Sequence, residues 1–284
     1  VSIEKGSLYI VATPIGNMGD MTERALKTLT EVDVIAVEDT RRSGQLLHHF
    51  DISTPMIAVH EHNERQICAS LLERIEKGES IALISDAGTP LLSDPGYFLV
   101  NQAREKHIPV IPVPGVSAVI TALSVAGLPT DRFIFEGFLP AKSAARRQRL
   151  EKVKDDSRTV IFYEAPHRIV EMLKDCQLVF GGQRKVVLAR ELTKTFETVH
   201  GDVLDELIPW VESDENQRKG EFVVLVQGAE SRAETGVDAE AERILLILLK
   251  ELPVKQAAGL AASITGSKKN ALYQHALALK GENS

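Results

Sequence analysis

The sequence predicts an α/β fold: two α/β lobes, the first with a mostly parallel sheet and the second with a mixed one, then a small C-terminal helical module. Three observations predict it. The 284 residues correspond to about two domains of roughly 150 residues each. Short β-branched runs alternate with amphipathic stretches through the first half, the pattern of right-handed βαβ units. After Pro129 the strand-like runs crowd together and helical stretches thin out.

In the first lobe, residues 1–116, strands are expected at 8–12, 32–37, 56–59, 81–84 and 110–113, with helices at about 22–29, 43–50, 63–77 and 95–106. Asn63 is read as the cap of the helix that ends at Gly78, and Asp94-Pro95 as a cap followed by proline in the first helical position. A helix at 117–126 opens the second lobe, residues 117–228. Its strands are expected at 133–138, 159–163, 185–190, 195–200 and 222–227, and its further helices at 143–154, 166–179 and 202–212. The runs at 185–190 and 195–200 lie too close for a parallel crossover, so they form a hairpin. Residues 228–238 are small and polar and read as a linker. The tail, 239–284, is helical in pattern and broken at Pro253 and Gly266.

Composition narrows the function. The chain has 33 Lys+Arg against 40 Asp+Glu, a net charge of −7, which excludes a uniformly basic nucleic-acid binder. Cys68 and Cys176 are the only cysteines and fit reduced, cytosolic thiols rather than a disulfide scaffold. The longest aliphatic run, 244–249, falls far short of the ~20 residues of a membrane span. The first residues lack a signal-peptide pattern. A cytoplasmic protein is expected.

The five strand ends of the first lobe carry the chemistry. They run into Thr13-Pro14-Ile15-Gly16-Asn17, Glu38-Asp39-Thr40-Arg41, His60-Glu61-His62-Asn63, Ser85-Asp86-Ala87-Gly88-Thr89-Pro90 and Pro114-Gly115-Val116-Ser117-Ala118. Carboxyl ends of parallel strands share one edge, where ligands bind. Turn geometry alone also asks for Gly, Pro and Asp, but not in all five loops at once. The G-x-G-x-x-G fingerprint of a dinucleotide site is broken, although Gly16 and Glu38 stand near its spacing, and a phosphate-cradling G-x-x-x-x-G-K-[ST] is missing. The His60–His62 pair lacks a zinc-binding spacing, so no metal is expected. Gly88 allows close backbone approach, Asp86 and Thr89 offer hydrogen bonds, and the helix start at Ser117-Ala118 offers free N–H groups to a carboxylate. The combination suits a zwitterionic nucleoside.

These strings, with Phe162-Tyr163-Glu164-Ala165-Pro166-His167-Arg168, Ala189-Arg190-Glu191-Leu192-Thr193-Lys194 and Arg218-Lys219-Gly220-Glu221, resemble the tetrapyrrole-methylase-type S-adenosylmethionine-dependent methyltransferases. Within them they are similar to the RsmI branch, which methylates ribosomal RNA. The resemblance runs over nearly the whole chain. It implies a homodimer of two-lobed subunits with S-adenosylmethionine in the cleft, and 2′-O-methylation of a cytidine ribose in the decoding region of small-subunit rRNA. It places cofactor contacts on Pro14, Asp86, Ala87, Gly88, Thr89, Ser117, Ala118, Tyr163, Leu192, Gly220 and Glu221. Tyr163 equally suits a half-buried strand aromatic, and Leu192 simple packing.

Methyl transfer to a hydroxyl requires loss of a proton, which invites an acceptor or a cation beside the developing alkoxide. Glu38 and Asp39 are candidate acceptors, and Arg41 and Lys194 candidate cations; the Glu38–Arg41 string equally suits a helix-capping turn with a local ion pair. RNA calls for local positive charge. Residues 141–154 hold Lys142, Arg146, Arg147, Arg149, Lys152 and Lys154 against Glu151 alone, and Arg42, Arg190, Arg218 and Lys219 extend that surface toward the cleft. In the tail, Lys268, Lys269 and Tyr273 fall at the second helix of a helix-turn-helix-like pair, a place to meet rRNA or brace a dimer. A plain capping bundle is the alternative. The partner implied is small-subunit rRNA in an assembled 30S subunit, with neither DNA nor membrane. A tetrapyrrole methyltransferase, a nicotinamide oxidoreductase and a non-catalytic RNA-binding module are the competing readings.

Overall fold

The protein is described by a computed structural model covering residues 3–60, 63–229 and 239–281. The first lobe is built from β1 (Leu8–Val11), α1 (Glu23–Glu31), β2 (Val34–Val37), α2 (Thr40–His49), β3 (Met56–Ala58), α3 (Glu64–Glu76), β4 (Ile81–Leu83), α4 (Tyr97–Glu105) and β5 (Val110–Val113). The five strands form one parallel sheet in the order β3-β2-β4-β1-β5. Their side chains alternate between two cores, because strand periodicity is two. Leu8, Ala36 and Leu83 face α3 and α4, while Tyr9, Val11 and Val37 face α1 and α2. The neighbours β1 and β4 therefore send their helices to opposite faces, which opens a crevice at the carboxyl edge. A two-bond bridge ties their loops there, Thr13 N–H to Gly88 O at 2.9 Å and Gly88 N–H to Thr13 O at 3.0 Å.

The second sheet contains β6 (Phe133–Phe138), β7 (Thr159–Glu164), β8 (Lys185–Arg190), β9 (Thr198–Val203) and β10 (Phe222–Val226). Its order is β6-β7-β10-β8-β9, with only β6 and β7 parallel. Helices α6 (Ser143–Glu151), α7 (Ile169–Phe180) and α8 (Leu204–Ser213) cover one face. The other face packs on α5 (Ala118–Val125) through Val119, Ala122 and Leu123, and receives Ile15 from the first lobe's β1 loop. The tail folds as α9 (Ala239–Leu248), α10 (Val254–Thr265) and α11 (Lys269–Gly281) around Leu245, Ala258, Ala261 and Leu272. Gly266 closes α10 in the left-handed conformation, φ 74°, as the break there requires.

Three local readings are corrected. The hairpin is present, but its second strand starts at Thr198 rather than 195. Glu191 and Thr193 adopt positive φ, Lys194 N–H bonds back to Glu191 O and Glu197 N–H to Lys194 O, so the loop runs on through 195–197. Asn63 precedes α3 without capping it: its side chain instead accepts from His60 N–H and donates to Ala58 O. Helix α4 begins after Gly96, not at Asp94-Pro95. Glu61, His62 and most of the expected linker, 230–238, lie outside the described residues. Among those described, no cluster of three or more His, Cys, Asp or Glu could hold a metal, and no helix is long and apolar enough to cross a membrane.

Candidate active site

A cleft of about 370 Å³ lies between the carboxyl edge of the first sheet and the α5 face of the second. The β4 loop contributes Ala87, Gly88 and Thr89, and the start of α5 contributes Ser117 and Ala118. From the second lobe come Tyr163 on β7, Leu192 and Lys194 after β8, and Glu221 before β10. Gly88, at φ 80°, holds a conformation glycine adopts freely,. Thr89 Oγ donates to Val116 O at 3.0 Å and ties the β4 loop to the entry of α5.

Three expected cofactor residues are not among those that line the cleft. Pro14 is buried. Asp86 accepts from Asp39 N–H at 3.2 Å and pairs with Arg42 at 3.1 Å. Gly220, at φ 89°, lets Glu191 pass so closely that a Cβ would collide with it.

Among the candidate catalytic groups, Lys194 lines the cleft. Its Nζ sits 2.9 Å from Glu191 Oε1 and 3.0 Å from Glu221 Oε2, and its stem crosses Gly16, where a Cβ would meet it at 2.5 Å. Burial pulls the ammonium's pKa down, but the two carboxylates outweigh it and leave the pKa above the usual lysine value. Lys194 is thus a fixed cation, unsuited to be a base. Asp39 and Arg41 satisfy each other instead of facing the cleft: Asp39 accepts from Arg41 N–H at 2.8 Å as the cap of α2 and pairs with its guanidinium at 3.1 Å. Those bonds hold the Asp39 carboxyl below the usual range. Glu38 does not line the cleft either; its carboxyl is pushed up by burial and by Asp86 and Asp94.

Asp94 is the residue that sequence reasoning missed. It lines the cleft, and burial, with Asp86 nearby, pushes its carboxyl up to about 6 against a hydrogen bond from Ser85 that lowers it. Reading Asp94-Pro95 as a helix cap hid it. Leu91 and Ser93 at positive φ and Gly96 at φ 122° make the stretch an irregular loop that delivers the carboxylate to the cleft. Phe138 and Glu164 also line it.

The basic surface differs from its sequence pattern. Arg146 is buried, 1% exposed, with Nε donating to Asp175 at 2.6 Å, so it cannot meet RNA. Its partner is an acid on α7, the neighbouring helix. Arg190, 9% exposed, is likewise turned inward, donating to Lys219 O and Thr198 Oγ. Arg147 stands 3.8 Å from Asp175, and Arg149 pairs with Glu136 at 2.7 Å, each still about half exposed. Lys142, Lys219, Lys268 and Lys269 are exposed, as is Arg42, whose side chain reaches back to Asp86.

Residues 7–208 match the family model for tetrapyrrole (corrin/porphyrin) methylases, and residues 235–280 match the model for the RsmI C-terminal HTH domain. The ribosomal RNA small subunit methyltransferase I of Pseudomonas aeruginosa is 58% identical over 98% of this chain and 99% of its own length. The protein of the same name from Escherichia coli O157:H7 is 55% identical over 98% and 96%. The chain belongs to the ribosomal RNA small subunit methyltransferase I family. Members of this family share their two-lobed fold with more distant enzymes. A uroporphyrin-III C-methyltransferase from Thermus thermophilus, solved with S-adenosyl homocysteine, matches with a TM-score of 0.53 at 18% identity, covering 79% of this chain and 97% of its own. A diphthine synthase matches with a TM-score of 0.59 at 14%, covering 79% and 90%.

The cleft of this family member fits S-adenosylmethionine. Its volume lies in the range of small-ligand sites. Ile15, Leu192 and Val223 offer apolar walls, and Ser117 Oγ is buried without a protein partner. Glu164 is paired with Arg168 and Glu221 with Lys194, while Asp94 sets a carboxylate on the lining that favours a cationic sulfonium.

Proposed function

We propose that this chain transfers the methyl group of S-adenosylmethionine to the 2′-hydroxyl of a cytidine ribose in the decoding region of 16S rRNA, acting in the cytoplasm as a homodimer on the assembled 30S subunit. The observation that carries this reading is end-to-end similarity to proteins named for small-subunit rRNA methylation, across both lobes and the tail. In this reading 1–116 and 117–228 act as the two lobes and 239–284 as an RNA-contacting module.

Bound in the cleft, the cofactor supplies an electrophilic methyl on a positive sulfur. The protein's contribution is alignment and charge. The tied loops at Thr13 and Gly88, with Ser117 and Ala118, hold the nucleoside. Asp94, on the cleft lining, would supply a negative charge that favours the sulfonium. Lys194, anchored by Glu191 and Glu221, presents an N–H to the ribose oxygen as its charge develops, and the hydroxyl proton leaves to a cleft carboxylate or water. Glu38 backs Asp86 and Asp94 from outside the lining.

The tail favours this reading over a tetrapyrrole substrate, for which a helix-turn-helix has no evident use. The test offers tritiated S-adenosylmethionine with 30S subunits, free rRNA and a tetrapyrrole mixture, followed by nucleoside analysis. Label in a 2′-O-methylcytidine is the expected result, and label confined to the tetrapyrroles would overturn it.

A further inference from the structure

Strand β6 carries a feature that the methyl-transfer chemistry leaves unused. It pairs in parallel with β7, and the register runs Phe133 with Thr159 and Phe135 with Ile161, then shifts so that Gly137 opposes Phe162 and Phe138 opposes Tyr163. Glu136 is the extra residue of a β-bulge, and Gly137 takes φ 66° to make it. Because side chains alternate along a strand, a one-residue slip moves each later side chain to the other face. Without the bulge Phe138 would oppose Glu164, on the face covered by α6 and α7. With it, Phe138 joins Phe135 on the α5 face and turns into the mouth of the cleft.

The ring rests edge-on against Tyr163, with centroids 5.5 Å apart, yet remains 57% exposed. Phe135 already packs on the same tyrosine at 4.9 Å, so packing does not account for the second ring. An aromatic face open at the entrance of a ligand cleft is what a nucleobase stacks on. Positive side chains lie close by in the chain. Arg149 is bound to Glu136 within the bulge itself, and Lys142 follows Phe138 by four residues at the start of α6.

We propose that Phe138 is the stacking platform for a base of the acceptor RNA, held at the cleft mouth while the ribose is presented to the methyl donor. The inference rests on the rRNA reading above and names a substrate subsite within it. Its test uses the full chain carrying Phe138→Ala, Phe138→Leu or Phe138→Trp. Methyl transfer to 30S subunits gives KM and kcat, calorimetry gives S-adenosylmethionine affinity, and sedimentation gives oligomeric state. Phe138→Ala and Phe138→Leu are expected to raise KM for 30S by about ten-fold or more, the scale of one lost base–aromatic stack. Phe138→Trp is expected to keep it within about three-fold, and every variant to bind the cofactor within about two-fold of the unaltered chain. Unchanged KM in Phe138→Ala, full activity in Phe138→Leu, parallel loss of cofactor affinity or a shift in sedimentation would each overturn the proposal. If the unaltered chain labels no RNA at all, the rRNA reading falls and takes this one with it. A fall of this proposal alone leaves RNA labelling by the unaltered chain intact.

Discussion

Asp94 and Lys194 face the same cleft with opposite charge, and each makes a prediction about a single residue. Asp94, with its carboxyl raised to about 6, is ionised at neutral pH and neutral in mild acid. The charged form attracts a sulfonium and the neutral form does not. Affinity for S-adenosylmethionine should therefore fall as pH drops through about 6, while S-adenosylhomocysteine, which lacks the sulfonium charge, should respond less. Calorimetry at pH 5 and pH 8 reads the difference, and Asp94→Asn should flatten it. Equal pH responses for the two ligands would rule the charge attraction out. Lys194 carries a fixed positive charge assigned to the developing alkoxide. Lys194→Met should lower kcat by about 10²-fold, the usual cost of removing one donor to a developing oxyanion, with cofactor affinity nearly unchanged. A loss confined to KM would place Lys194 in RNA binding instead.

Helix α6 shows what a whole element does to charges that look alike in sequence. Its local excess of positive charge points to Arg146, Arg147 and Arg149 alike as RNA contacts, yet the fold turns Arg146 into the interface with α7 and leaves the other two half exposed. Arg146→Ala leaves Asp175 buried without its main partner, and should cost about 3–5 kcal/mol in urea unfolding, the typical penalty for breaking a buried pair. Lys142→Glu with Arg147→Glu should leave the unfolding midpoint almost unmoved and weaken 30S binding. The legibility of this lobe divides along the same line. Strands and helices could be read because alternation and helical spacing are local patterns, and β7, β8 and β10 follow them closely. The partner of Arg146 lies 29 residues away on another helix, and no local pattern records it. The cap read at Asp94-Pro95 and the strand read over 195–197 failed for a related reason: the chain beside them takes positive φ at Leu91, Ser93, Glu191 and Thr193, a conformation that residue preference does not announce.

At the scale of the whole molecule the net charge of −7 and the proposed RNA substrate are reconciled by where the charges sit. Asp94 gives the cleft a carboxylate that suits a cationic donor, while exposed Lys142, Lys219, Lys268 and Lys269 lie outside the lining. Lys268 and Lys269 stand at the start of α11, beyond the turn at Gly266, in a module with a hydrophobic core of its own. A phosphate contact contributes affinity that salt erodes, about one unit of log–log slope per cation. Lys268→Glu with Lys269→Glu in the full chain should thus weaken 30S binding and reduce its salt slope by about two. Cofactor affinity and sedimentation should stay as they are, since neither lysine lines the cleft. If the module instead braces a dimer, the double variant would sediment differently and its salt slope would not change. Fluorescence binding titrations from about 50 to 200 mM salt separate the two outcomes, over a range in which several phosphate contacts change affinity by orders of magnitude.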